Sequence, residues 1–119
     1  SGAKSHVFFG DQSGVGLIEA MTRGLLGDAD FIGAVELGEG ETGILGGLSP
    51  KIHPRIAPAK PGDGLMEWLE EATLPLESAY YLVGNAGAIS RVRKALMARG
   101  VSRRDIRTDA FWAENKVGL

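Results

Sequence analysis

The residues with the clearest chemical potential sit in two short glycine-rich turns, Gly10-Asp11-Gln12-Ser13-Gly14 and Gly84-Asn85-Ala86-Gly87. Each follows an apolar run, His6-Val7-Phe8-Phe9 for the first and Tyr80-Tyr81-Leu82-Val83 for the second, and each opens a helical pattern. Backbone N–H groups at such a strand-to-helix turn favour a phosphate without any charged side chain. Asp11 could orient a ribose or a substrate amine, or cap the helix that follows; Ser13 could donate to a phosphate, or cap the same helix. Gly84 and Gly87 suit either the close approach of a ligand or a tight turn that needs positive φ. Asn85 could hydrogen-bond a ribose or occupy the left-handed position that Asn tolerates.

Several chemistries are excluded by the same residues. Gly14 and Gly16 make a G-x-G, but the full dinucleotide fingerprint is incomplete and the lysine of a P-loop is missing. Ser13 does not sit in a G-x-S-x-G elbow, because position 11 is Asp, and neither His6 nor His53 is placed for a triad. With no cysteine and two histidines, thiolate metal sites and disulfides are excluded and a histidine-based metal site is disfavoured.

Charge is unevenly spread. Residues 1–77 hold 5 Lys/Arg against 12 Asp/Glu, and residues 78–119 hold 8 against 3, although the whole chain sums to only −2. Arg91, Arg93, Lys94, Arg99, Arg103, Arg104 and Arg107 carry most of the basic end. They read either as a solvated helix face or as an attraction for a phosphorylated ligand or an acidic partner domain. A sequence pI near 5.7 argues against nucleic acid. No apolar run approaches the length of a membrane span and no signal segment opens the chain, so a cytoplasmic protein is expected.

The elements that must position the two turns follow from periodicity. Strands are expected at His6–Gly10, at 31–37 and at 78–87, the last with its apolar core at Tyr80–Val83, and a final strand in RTDAFWA. Ile52–Ile56 contains Pro54 and suits only a short edge strand. Helical spacing runs from Val15 to Leu26, ended by residues 27–30, from Gly64 to Thr73 with Asp63 as N-cap, and from Ala88 to Arg99 with Gly100 as the C′ glycine. Ser102 reads as the cap of a turn before the last strand. Residues 38–50 form an irregular connection, and Trp68, Tyr80 and Tyr81 belong to the core. Alternating strands and helices imply an α/β fold: one doubly wound, mainly parallel five-stranded sheet with helices on both faces. Such sheets bind ligands beyond the strand carboxyl ends, where the winding reverses. Glu36, ending the second strand, stands where Rossmann-type folds place a ribose-binding acid.

HVFFGDQSGVGLIEAM, YYLVGNAGAISRVRKALMARGVSRRDI and AFWAE together resemble the carboxy-terminal half of siderophore-interacting proteins, over roughly His6 to Ala113. That resemblance implies a ferredoxin-reductase-like nucleotide-binding domain that takes NADPH or NADH and passes hydride to FAD. The FAD would lie in a flavin-binding barrel, here a missing domain or a partner subunit, with a ferric siderophore as the indirect substrate. It implies that the family's GDET turn lands on Gly10, Asp11, Gln12 and Ser13, and its AGE turn on Gly84, Asn85, Ala86 and Gly87. Arg91, one turn into the next helix, could then reach a 2′-phosphate. The terminal aromatic pair Phe111 and Trp112 would lie near the flavin–nicotinamide junction.

Departures from the family pattern are specific. Gln12 and Asn85 stand where the family has Glu, Phe111 where it has Tyr, and Ala113 where it has a basic residue; Gly14, Val15 and Gly16 loosen the first helix start. A single nucleotide-binding domain over 1–119, with residues 1–5 as a disordered or tag-like lead, is the expected organisation. It is not expected to turn over alone. The alternatives are a nucleotide-fold interaction module without coenzyme turnover and a receiver-like signalling domain, whose clustered acids and lysine are not evident.

Overall fold

The computed structural model describes residues 5–24, 30–38, 51–56, 60–75 and 77–112, the last three of these by backbone alone. Five strands form one parallel sheet in the order β3-β2-β1-β4-β5: β1 Ser5–Asp11, β2 Asp30–Leu37, β3 Ile52–Ile56, β4 Ser78–Asn85 and β5 Ile106–Trp112. Helix α1 (Val15–Gly24) follows β1 after a short 3₁₀ turn at Gln12–Gly14; α2 (Asp63–Glu71) precedes β4 and α3 (Ala86–Ala98) follows it.

The strands alternate their side chains between two cores. Val7, Phe9, Ala34, Tyr80 and Leu82 meet Leu65, Trp68 and Leu69 of α2 and Ile89, Val92 and Leu96 of α3 on one face. Phe8, Phe31, Val35 and Val83 meet Val15 and Ile18 of α1 on the other. Since β1 is covered on both sides, Phe8 and Phe9 are both buried although adjacent, as a central parallel strand requires. This is the doubly wound arrangement that the alternation of elements predicts.

Helix α3 closes as Gly100 predicts. Gly100 adopts φ 96°, its N–H donates to the Met97 carbonyl at 3.0 Å, and Val101 N–H donates to Leu96 at 3.1 Å. That pair of bonds is a Schellman motif, which satisfies carbonyls the helix end would leave open. Trp68 and Tyr80 are buried as expected, and Tyr81 is half-buried.

Two capping expectations are corrected. Asp63 is the first helical residue of α2 and Gly62 is its N-cap, with no side-chain bond from the cap; a carboxylate from β2 does that work. Ser102 precedes the 3₁₀ turn Arg103–Asp105 but makes no side-chain capping bond. Helix α3 also begins at Ala86 rather than Ala88, and β4 runs through Gly84 to Asn85, because Asn85 both pairs in the sheet and caps the helix. The expected helix stop at residues 27–29, the connection at 39–50 and residues 1–4 of the expected lead lie outside the described residues, as do the side chains of Phe111 and Trp112; Ser5, expected in that lead, is instead a buried residue of β1 paired with β2 and β4.

Candidate nucleotide site at the strand switch point

From β1 the chain winds outward to β2 on one side, and after β3 and α2 it returns to pair β4 with the other side of β1. The reversal therefore lies between the carboxyl ends of β1 and β4, where Asp11 and Asn85 stand. Both glycine-rich turns of the sequence meet there.

Asp11 joins them. One carboxylate oxygen, Oδ1, accepts from the Ser13 N–H at 2.9 Å and from the Ser13 hydroxyl, while Oδ2 accepts from the Asn85 N–H at 2.9 Å. It thus caps the 3₁₀ turn that opens the path to α1 and ties it to the start of α3. Gly84 makes room for this carboxylate. Its φ is 125°, and a Cβ there would lie 2.4 Å from Asp11 Oδ1. The positive φ falls on Gly84 and not on Asn85, whose φ of −67° is extended, so the left-handed reading of Asn85 is overturned.

Asn85 is instead the N-cap of α3. Its Oδ1 accepts from the Ala88 N–H at 2.8 Å, and the residue is only 3% exposed. The other end of the amide, Nδ2, is buried and has no hydrogen-bond partner among the described residues. A buried donor without a partner costs about 1–3 kcal/mol, so it marks a position where an acceptor would be gained. The first N–H groups of a helix lack intrahelical acceptors and carry the positive end of its dipole. Ala86 and Gly87 occupy that first turn of α3, with Gly87 exposed. Gln12 and Ser13 are exposed on the opposite side of the switch point.

The glycines of the first turn have a packing role. A Cβ on Gly14 would sit 2.5 Å from Val83 Cγ2, and one on Gly10 would sit 2.7 Å from Ile18 Cδ1. They let the entry of α1 lie close against β4.

Glu36 and Arg91 face α2. Glu36, 4% exposed, accepts from Gly62 N–H at 2.8 Å through Oε1, and from Gly64 and Leu65 N–H at 2.7 and 3.2 Å through Oε2. Its carboxylate is occupied by the helix start that Gly62 leaves uncapped. Arg91 Nη1 donates to the Pro61 carbonyl at 2.8 Å and pairs with Asp63 Oδ1 at 2.8 Å, which locks the same segment to α3. Both connections span long stretches of sequence, and sequence periodicity carries no sign of them.

A cavity of about 420 Å³, lined by residues that include Leu74, Ser78, Tyr80, Arg99 and Ser102, lies at the opposite, amino-terminal end of the sheet and touches neither turn. Among the described residues, no group of three or more His, Cys, Asp or Glu could hold a metal ion. No helix among them is long and apolar enough to cross a membrane.

The family model for siderophore-interacting proteins matches residues 3–115. The chain belongs to that family. Solved structures agree on the fold of this siderophore-interacting protein. It superposes on a siderophore utilization protein from T. fusca with a TM-score of 0.80 at 21% identity, covering 100% of this chain and 48% of that one. The siderophore-interacting protein from Acinetobacter baumannii gives 0.80 at 15%, covering 98% and 49%. Phthalate dioxygenase reductase, described as a modular structure for electron transfer from pyridine nucleotides to a [2Fe-2S] centre, gives 0.72 at 16%, covering 96% and 37%. The fold is thus of the ferredoxin-reductase type, and the chain spans about half or less of each of these structures. No curated protein matches the sequence.

Proposed function

We propose that this chain is the nicotinamide-nucleotide-binding half of a flavin-dependent ferric-siderophore reductase. The observation that carries the reading is the Asp11–Asn85 bond, which brings two amide-rich turns together at the switch point of a parallel sheet. The residues present fit an anionic, acceptor-rich ligand. The unpartnered Asn85 Nδ2 is a donor in search of an oxygen, the first turn of α3 supports a phosphate, and Ser13, exposed on the facing turn, would have to turn its hydroxyl from Asp11 to donate to the ligand.

In this reading NADH or NADPH lies across the two turns. Ser13, Gly84, Asn85, Ala86 and Gly87 hold its phosphates and ribose, with Gly10, Asp11 and Gln12 shaping the first turn. Asp11 orients both turns before the ligand arrives, so little conformational freedom is lost on binding. Arg91 holds the Pro61–Asp63 segment beside the site, and the end of β5, the stretch that carries Phe111 and Trp112, is assigned to the flavin partner. When bound, the reduced coenzyme supplies hydride to FAD carried by another domain or subunit, and electrons pass from there to siderophore-bound Fe(III). The chain's own contribution is to bind and orient the coenzyme.

The test is calorimetric titration of the chain with NADH, NADPH and 2′,5′-ADP at low salt, repeated on Asn85→Ala. Micromolar binding weakened about tenfold or more in the variant, the loss of one buried donor, is the expected result. The absence of binding at millimolar coenzyme, with and without a flavin-loaded partner domain, overturns the reading.

A further inference from the structure

We propose that strand β5 and the cations flanking it form a docking edge for an extended acidic segment of another protein, which adds to the sheet as a sixth strand. The proposal is independent of the coenzyme reading.

The first observation is the edge itself. β5 ends the sheet, and Arg107, Thr108 and Asp109 are exposed although they point to alternate faces. The other end of the sheet is blunted: β3 contains Pro54, which removes a donor, and Arg55 beside it is held by Glu67 and Glu71. Among the described residues β5 pairs with β4 alone, and an edge strand is a template for strand addition, where main-chain bonds provide affinity and side chains provide choice.

The second observation is the state of the cations. Arg23, Arg55 and Arg91 each pair with a carboxylate of their own chain. Arg93, Lys94, Arg99, Arg103, Arg104 and Arg107 form no ion pair among the described residues. They fall within residues 93–107, which run from α3 through the 3₁₀ turn into β5. Helix α3 packs against β4 and β5 on the face that buries Ile89, Val92 and Leu96, with Lys94 exposed to solvent. Arg103 and Arg104 occupy the 3₁₀ turn that leads directly into β5. Arg107 pairs in register with Tyr81, which belongs to the α1-side core, so it projects from the other face. Positive charge therefore stands at the start of the edge strand, on Arg103 and Arg104, and along its α1-side face, on Arg107.

Two carboxylates decide the occupant. Asp105 follows Arg104, and Asp109 lies two residues along β5 from Arg107, on the same face. A uniformly negative surface, such as an anionic membrane or a nucleic acid, would be repelled at both positions. A polypeptide can set an acid opposite Arg107 and a neutral or basic residue opposite Asp109, since directly opposed side chains on neighbouring strands interact pairwise.

The experiment follows the backbone amides of the isotope-labelled full chain by NMR during titration with an acidic peptide of alternating Glu and Val. The same titration is run with a backbone N-methylated copy and with anionic lipid vesicles. The expected result is shifts confined to β5 and its flanking turn, with affinity falling about tenfold from low to high salt. Arg107→Glu and Arg103→Glu, both at exposed positions, should each weaken binding several-fold while leaving the rest of the spectrum unchanged. Equal binding of the N-methylated peptide overturns strand addition. Equal perturbation of β5 by vesicles overturns the choice of a protein partner. The absence of shifts at millimolar peptide overturns the proposal outright.

Discussion

Replacing Glu36 by Gln tests the architecture beside the candidate site more severely than any change within the turns. The carboxylate accepts three backbone N–H groups at the start of α2 and is buried. Gln keeps the shape but has one acceptor oxygen. If that oxygen serves Gly64 and Leu65, the new amino group faces the Gly62 N–H, donor against donor. A hydrogen bond to a charged group contributes about 1.5–3 kcal/mol, and a stranded buried donor costs about 1–3 kcal/mol. These overlap, so Glu36→Gln should destabilise by about 2–4 kcal/mol, and Glu36→Ala, which strands all three donors, by more. For a chain of this length about 1 kcal/mol moves Tm by roughly 3–5 °C, so the Gln variant should melt roughly 6–20 °C lower. Thermal and urea unfolding followed by circular dichroism measure both quantities. Glu70→Gln, on the exposed side of the same helix, is the control and should lie within about 0.5 kcal/mol of the parent. If Glu36→Gln behaves like Glu70→Gln, the carboxylate does not anchor α2 and the reasoning fails.

Gly84→Ala places a Cβ against Asp11 and forces a non-glycine residue to φ 125°. It should lower stability by about 1–3 kcal/mol and weaken coenzyme binding in the same calorimetric assay. Arg91→Ala removes the tie to Pro61 and Asp63; because both charged partners are about a third exposed, the stability loss should be near 1 kcal/mol. NADH and NADPH affinities should fall by equal factors, and a loss confined to NADPH would show that Arg91 leaves Asp63 for the 2′-phosphate. Burial holds the Tyr80 hydroxyl above its ordinary value of 10.0, with Asp105 adding to the shift and Ser78 and Arg99 opposing it. The unfolded chain therefore loses this proton first. Its contribution to stability is complete below pH 10.0 and declines as pH rises from there through the folded value. Tyr80→Phe should flatten the alkaline limb of the stability profile, and an unchanged slope would refute the assignment.

What could be read from sequence depended on how local its cause is. The turn at Gly84-Asn85 was legible because an apolar strand, a glycine and a helix-favouring run follow one another within a dozen residues. The Schellman closure at Gly100 was legible for the same reason. Glu36 was visible as an acid at a strand end, but its partners lie 26 to 29 residues away and are backbone groups, which leave no residue signature. Arg91 carried the right charge for a phosphate, and only the packing of α2 against α3 showed that it meets Asp63. Asn85 was singled out by type, but its orphaned Nδ2 follows from burial, which depends on the whole sheet.

The bond between Asp11 and Asn85 joins residues 74 apart, and it lies between the two strands at the middle of the sheet. A chain growing from its amino terminus can pair β1 with β2 early. It cannot close the other side of β1, or cover Phe9 with β4 and α3, until residues beyond 85 have emerged. Such long-range pairing makes folding slow and leaves a sticky intermediate. A truncation ending at residue 77 should therefore aggregate, whereas supplying residues 78–112 as a separate segment should restore solubility and assemble both turns together. The two turns of the candidate site therefore come together only after residue 85 has been made.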